Sequence, residues 1–232
     1  VIYLTGVSNV RARALAKTHP LGLMAQPANG VKTQIPAYRW WAADNGCYAK
    51  GPAFDGEAWF KWLDRLPRER CLFAVAPDVV QDPEATLARS RPWIPRIRAL
   101  GFPVAYAAQD GITEAPWDEI DVLFIGGSTK WKLSPAATAI TARAHAHQKT
   151  VHMGRVNSLK RIQAAALMGC QSADGTFLAY RARGGGEGES QVAGWLDRLW
   201  AEPFLPFLLT PETTPGTTSS SLRDLTAPTR TL

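Results

Sequence analysis

A chain of 232 residues with 46% hydrophobic content is long enough to bury one substantial core, and a single domain is the expectation. Its 26 Lys and Arg against 20 Asp and Glu leave a formal charge of +6, which either favours a polyanionic partner or is spread over the surface and keeps the protein in solution. Cys47, Cys71 and Cys170 lie too far apart for a disulfide framework and no apolar run is long enough for a membrane span, so a reducing cytoplasm is the expected compartment.

In chain order, Ile2 to Thr5 predicts the first strand, and the opening Val1 to Val10 is too short for a signal peptide before Arg11 and Arg13. From Arg13 to Tyr38 the chain is polar, glycine-rich and proline-bearing, a long connection that reads as a lid or an irregular insertion. A strand over Trp40 to Ala43, a helix over Gly56 to Leu66 and a strand over Leu72 to Ala76 follow. Asp82 then stands before Pro83, a capping side chain ahead of a proline at the first helical position, and predicts a helix from Pro83 to Leu100 with Gly101 at its C-cap. After strands at Pro103 to Ala108 and Val122 to Ile125, Ser134 before Pro135 repeats that start signal for a helix to Gln148. The last predicted elements are a strand at Thr150 to Met153, a helix from Leu159 to Met168 closed by Gly169, a strand at Gln171 to Ala173 and a helix from Gln191 to Trp200. From Thr210 to Leu232 the composition collapses to Thr, Ser and Pro, which predicts a disordered tail after a domain of residues 1–209.

The apolar runs are continuous, as in strands buried on both faces of a parallel sheet. Alternating with helices, they predict an α/β fold, a (β/α)8 TIM-like barrel, with an open doubly wound sheet as the alternative. The barrel is favoured because no glycine-rich dinucleotide fingerprint follows the first strand. Seven strands are visible where eight are needed. The barrel is therefore expected to be reduced or irregular at its last strand, with Phe204 to Leu209 as the candidate for closure.

Almost every predicted strand runs into polar residues: Asp44-Asn45-Gly46-Cys47-Tyr48, Pro77-Asp78, Gln109-Asp110-Gly111, Gly126-Gly127, Gly154-Arg155 and Asp174-Gly175-Thr176. In a barrel these ends converge on the face where active sites are built. One such carboxylate is as readily a helix cap or turn former; four sharing a face point to chemistry.

In this order the motifs resemble the queuine and archaeosine tRNA-guanine transglycosylases, and more closely the DpdA-type proteins of phage and bacteria that place 7-deazaguanines in DNA. Asp44-Asn45-Gly46-Cys47-Tyr48 resembles the family's Asp-Ser-Gly-Gly-aromatic segment. Gln109 and Gly126-Gly127 resemble the base-reading Gln and Gly-Gly, and His152-Met153-Gly154-Arg155-Val156 resembles a Leu-Met-Gly-Val-Gly strand end. A helix, Gly169 and then Asp174 repeat the approach to the nucleophile, and the likeness covers about residues 40 to 183.

The resemblance implies exchange of guanine in a nucleic acid for a free 7-deazaguanine base, such as 7-cyano-7-deazaguanine, with no cofactor. It implies that Asp174 is the covalent nucleophile and Asp44 the acid–base group. It implies that Asp78 and Gln109 read the base, helped by backbone N–H groups of Gly126 and Gly127. Tyr48 and Met153 would sandwich the ring, ordinary core packing being the alternative for both. Lys130, Lys132 and Arg155 would hold phosphates; Lys160 and Arg161 would either join them or form a solvated helix face.

One departure bears on the polymer. The tRNA enzymes carry a zinc site of three Cys and one His near the C-terminus, whereas here no cysteine follows Cys170 and no histidine follows His152. No metal is expected, DNA is the expected polymer rather than tRNA, and the oligomeric state is open. Exchange at C1′ is substitution at an anomeric carbon, so a carboxylate can hold the sugar and release it to a second acceptor. With water as acceptor the same barrel would be a base-excising N-glycosidase; a tRNA enzyme and a non-catalytic nucleic-acid binder are the remaining readings.

Overall fold

Eight parallel strands close into a ring in chain order in the computed structural model, which describes residues 1–183 and 187–201. The strands are β1 (Ile2–Thr5), β2 (Leu21–Ala25), β3 (Trp41–Ala43), β4 (Cys71–Val75), β5 (Val104–Ala108), β6 (Val122–Ile125), β7 (Thr150–Met153) and β8 (Ser172–Gly175). The helices are α1 (Val10–Leu15), α2 (Cys47–Lys50), α3 (Gly56–Asp64), α4 (Pro83–Ser90), α5 (Ile94–Ala99), α6 (Thr129–Lys132), α7 (Pro135–Ala146), α8 (Leu159–Leu167), α9 (Phe177–Arg183) and α10 (Gly188–Ala201). This is the (β/α)8 barrel, complete rather than reduced.

Two expectations about closure are corrected. The seam is made by β8 against β1, from Ile2 opposite Ser172 to Thr5 opposite Gly175, so the ring is complete without Phe204 to Leu209. That segment and the expected tail, Thr210 to Leu232, lie outside the described residues. The strand missing from the sequence reading is β2, inside the stretch read as a lid or insertion, and every one of its residues is buried. It pairs with β1 on one edge and β3 on the other. Gly22 lets it fit, since a Cβ there would stand 2.5 Å from the Leu4 side chain and 2.7 Å from the Trp40 carbonyl oxygen.

The expected helix over Pro83 to Leu100 is two helices broken at Arg91-Pro92-Trp93. Pro92 and Pro95 lack the N–H that a continuous helix would use. The capping residues behave as expected: Asp82 accepts from the Ala85 N–H at 2.9 Å, Ser134 from that of Ala137, and Gly101 and Gly169 take the left-handed conformation (φ 86° and 76°).

Strand side chains alternate between two layers. Leu4, Met24, Ala42, Phe73, Val75, Ala105, Ala107 and Val122 fill the barrel, while Tyr3, Leu23, Trp41, Tyr106, Leu123 and Met153 belong to the larger core shared with the helices. On the C-terminal side, α10 buries Val192 and Leu196 and sets Trp195 edge-on to Tyr3 of β1, ring centroids 6.3 Å apart.

Candidate active site

The alternation that fills the barrel continues one step beyond its last apolar layer. There the inward positions are occupied by Asp44, Gln109, Gly126, Gly154 and Asp174, at the ends of β3, β5, β6, β7 and β8. Of these, Asp44, Gln109, Gly126 and Asp174, together with Asp78 after β4, line a cavity of about 460 Å³ at the C-terminal end of the barrel, where Met24 and Phe124 supply apolar walls. Gly154 makes room for two of the lining side chains, because a Cβ there would run into the Phe124 ring at 2.6 Å and stand 3.4 Å from Asp174 Oδ1.

Asp174, on β8, accepts from His152 Nε2 at 3.0 Å through Oδ1. His152 is fully buried on β7, and its Nδ1 lies 2.8 Å from Ser172 Oγ. Asp44 faces the same cavity. Burial pushes its carboxyl up to about 7, the nearby Asp174 charge adds to the rise, and the Gly46 N–H (3.3 Å) opposes it. The cavity therefore holds a carboxyl that keeps its proton near neutral pH beside a second carboxylate anchored by a histidine, a pairing suited to acid–base and nucleophilic work.

The opposite wall is an amide–carboxylate array. Asn45 Nδ2 donates to Asp78 Oδ1 at 3.0 Å and to the Ala76 carbonyl at 2.9 Å, and Gln109 Nε2 donates to Asp78 Oδ2 at 2.8 Å. Gln109 Oε1 accepts from the Gln81 N–H at 3.0 Å. The Asp78 carboxyl is raised above its ordinary value chiefly by burial, with the Asn45 hydrogen bond opposing. Asn45, four percent exposed, was not singled out from the sequence; its side chain also accepts from the Cys47 N–H at 2.7 Å and so shapes the turn that aims Asp44.

Several expected roles are corrected by this geometry. The N–H groups of Gly126 and Gly127 both donate to the Ala108 carbonyl, at 2.9 and 3.1 Å, and are not free for a base. What these glycines supply is room: a Cβ on Gly126 would press on Gln109 Nε2, and one on Gly127 on the Trp131 ring and Asp110. Met153 lies one residue beyond inward-facing His152, points into the outer core and does not line the cavity; Met24 of β2 stands there instead. Lys132 is buried with its Nζ donating to the Gly154 carbonyl, and burial lowers its pKa to about 7, so it is an internal strut rather than a phosphate ligand. Lys130 is exposed on α6 and is not among the cavity-lining residues.

Arg155 and Tyr48 are brought together. Arg155, in a left-handed conformation (φ 56°), turns its guanidinium back to donate to the carbonyls of Gly126 and Gly127. Its Cζ lies 4.9 Å from the centre of the Tyr48 ring, a cation–π contact between the loops after β7 and β3. Tyr48 is 66% exposed and lines the mouth, as do Arg161 and Tyr180. Lys160 is exposed on α8.

Among the described residues no group of three or more His, Cys, Asp or Glu side chains is placed to hold a metal ion, and no helix is long and apolar enough to cross a membrane.

No family model matches the chain, and no curated protein matches it. Among solved structures, two mutant tryptophan synthase alpha-subunits from the hyperthermophile Pyrococcus furiosus are similar to it, with TM-scores of 0.56 and 0.54 at 12% and 13% identity, over 86% of this chain and 96% of theirs. A structure described as native KDPGal is similar with a TM-score of 0.51 at 17% identity, over 86% of this chain and 93% of the other. At these identities the likeness is one of fold.

Proposed function

We propose that the chain is an enzyme, a guanine transglycosylase that exchanges guanine in DNA for a free 7-deazaguanine through a covalent bond between Asp174 and the sugar. The observation that carries this reading is the facing of Asp174 and proton-bearing Asp44 across one cavity whose far wall is the Asn45–Asp78–Gln109 array. A carboxylate on one side of an anomeric carbon and a proton donor near the leaving group are the two parts that glycosidic substitution needs. What this array has left for a purine edge is the remaining lone pairs of the Asp78 carboxyl and the second Gln109 Nε2 hydrogen, an acceptor and a donor, and a base reaches such a pocket only when flipped from its stack. The +6 charge and the cavity-lining Arg155 and Arg161 suit a polyanion.

The test is incubation of labelled guanine or 7-cyano-7-deazaguanine with the protein and duplex DNA, beside tRNA, for wild type and Asp174→Asn. The expected outcome is incorporation into DNA and a covalent protein–DNA adduct on denaturing gels, both lost in an Asp174→Asn protein of unchanged melting temperature. Abasic sites without incorporation would identify a base-excising hydrolase, incorporation into tRNA alone would reassign the polymer, and exchange by Asp174→Asn would remove the nucleophile.

A further inference from the structure

The buried polar group left without a role by this chemistry is His152. It stands on the inner face of β7 with its ring against Phe73 and Phe124, centroid separations 4.9 and 4.6 Å. Ring nitrogens in an apolar layer cost free energy unless both are hydrogen-bonded, and here both partners come from alternate positions of the neighbouring strand, Ser172 and Asp174. An ionised carboxylate only accepts, so Nε2 carries the hydrogen. A neutral ring then has a lone pair on Nδ1, to which the rotatable Ser172 hydroxyl donates, and this fixes the tautomer.

We propose that His152 is a positioning residue that holds Oδ1 of Asp174 and leaves Oδ2 to bond the sugar, resting on the reading of Asp174 as nucleophile. In the first step a lone pair of Oδ2 forms the bond to C1′, the C1′–N9 bond breaks, and its electron pair leaves with guanine, which takes the proton of Asp44. In the second, the incoming base gives its proton to Asp44, its nitrogen bonds C1′, and the C1′–Oδ2 pair returns to the carboxylate. His152 keeps its proton throughout. Its N–H faces a carboxylate oxygen before and after, and a weaker-accepting ester carbonyl in the adduct, so it favours breakdown of the adduct over its formation. Losing the donor slows the second step most, and adduct accumulates.

The first measurement needs no nucleic acid: ¹⁵N NMR of the His152 ring in the free protein is expected to report the Nε2–H tautomer, and an Nδ1–H or doubly protonated ring at neutral pH overturns the proposal. The second is kinetic. His152→Gln, which keeps an N–H donor at similar reach, is expected to exchange bases within about threefold of wild type. His152→Leu is expected to lose about ten- to a hundredfold in turnover while the gel-detected adduct rises. Unchanged turnover and adduct in a His152→Leu protein of wild-type melting temperature overturns the positioning role. If His152→Leu fails to fold, His152→Phe, a ring of similar shape with no donor, serves instead, with the same loss of turnover and rise of adduct as the expected result, and wild-type behaviour in both overturning the proposal. Asp174→Asn in the same assay separates the two claims: its loss of exchange leaves the nucleophile standing whatever His152 does, whereas its retention of exchange defeats that reading and the NMR result alone decides the hydrogen-bond geometry.

Discussion

Asp44 holds its proton to about pH 7 because burial and the Asp174 charge both disfavour its carboxylate. Its folded pKa is above the unfolded one, so between about pH 4 and pH 7 the folded chain binds more protons than the unfolded chain. Stability from this group is therefore full at low pH and declines as pH rises through that window. Asp44→Asn abolishes the titration: at about pH 8 it is expected to stabilise the protein by on the order of 2 kcal/mol, and at about pH 4 to change little. Thermal melts at the two pH values check this, and an equal change at both would remove the titration from the account. In wild type, base departure is expected to slow above about pH 7 as the acid is lost. Asp44 and Asp174 were legible in the sequence because each follows an apolar run and precedes a glycine or Asn-Gly turn. His152 was not, because a histidine within a strand shows its role only when the register is known. Once β8 is laid against β7 with His152 opposite Ser172, the two-residue alternation sends His152 toward Asp174 and Met153 away from it.

At the scale of elements, two glycines make opposite predictions. Gly175 ends β8, and a Cβ on it would collide with the Tyr3 hydroxyl, the Val156 carbonyl and the Asn157 side chain. Tyr3 Oη donates to that same carbonyl at 3.0 Å, tying β1 to the loop after β7. Gly175→Ala is expected to cost roughly 2–3 kcal/mol and to shift the neighbouring Asp174, lowering exchange as well as stability. Gly194 lies within α10 with nothing near the place of its Cβ, and Gly194→Ala is expected to add about 0.5–1 kcal/mol. Chemical denaturation of both variants checks the pair; a neutral Gly175→Ala would mean that the seam yields easily. Elements rich in β-branched or aromatic residues were readable in advance. β2 was not, because Leu21-Gly22-Leu23-Met24-Ala25 holds no β-branched residue and lies between Pro20 and Pro27, the dress of a loop. Its strand character comes from being paired along both edges, which is tertiary information. Missing it moved the expected closure to the far end of the chain and hid Met24, whereas the expectation for Met153 came from the resemblance of its motif.

For the molecule as a whole, closure of β8 on β1 joins the first strand to the last, with Trp195 of α10 covering the seam through Tyr3 and through Phe177, the Trp195 and Phe177 centroids 4.5 Å apart. A ring without a free edge offers no strand that can peel off alone. Leu196→Ala, at a fully buried position of α10, is expected to cost roughly 2–4 kcal/mol and to lower the hydrogen-exchange protection of β1 and of distant β5 by the same amount. Loss confined to β1 and β8 would show that the seam opens by itself.

The contact between Tyr48 and Arg155 acquires a further meaning from where its two loops stand. They follow β3 and β7, four places apart in a ring of eight, so the line joining those two strands halves the ring, and the contact ties together loops that start at its two ends. Asp174 belongs to the half bounded by β8, β1 and β2; Asp78, Gln109 and Gly126 belong to the half bounded by β4, β5 and β6; Asp44 sits at one end of the dividing line. Under the proposed reaction a nucleoside lies across that line, sugar to one side and base to the other, with its glycosidic bond beside Asp44. Under that reading one half of the ring holds the exchanged base and the other the sugar, so the base can leave and be replaced while the sugar stays bonded to Asp174.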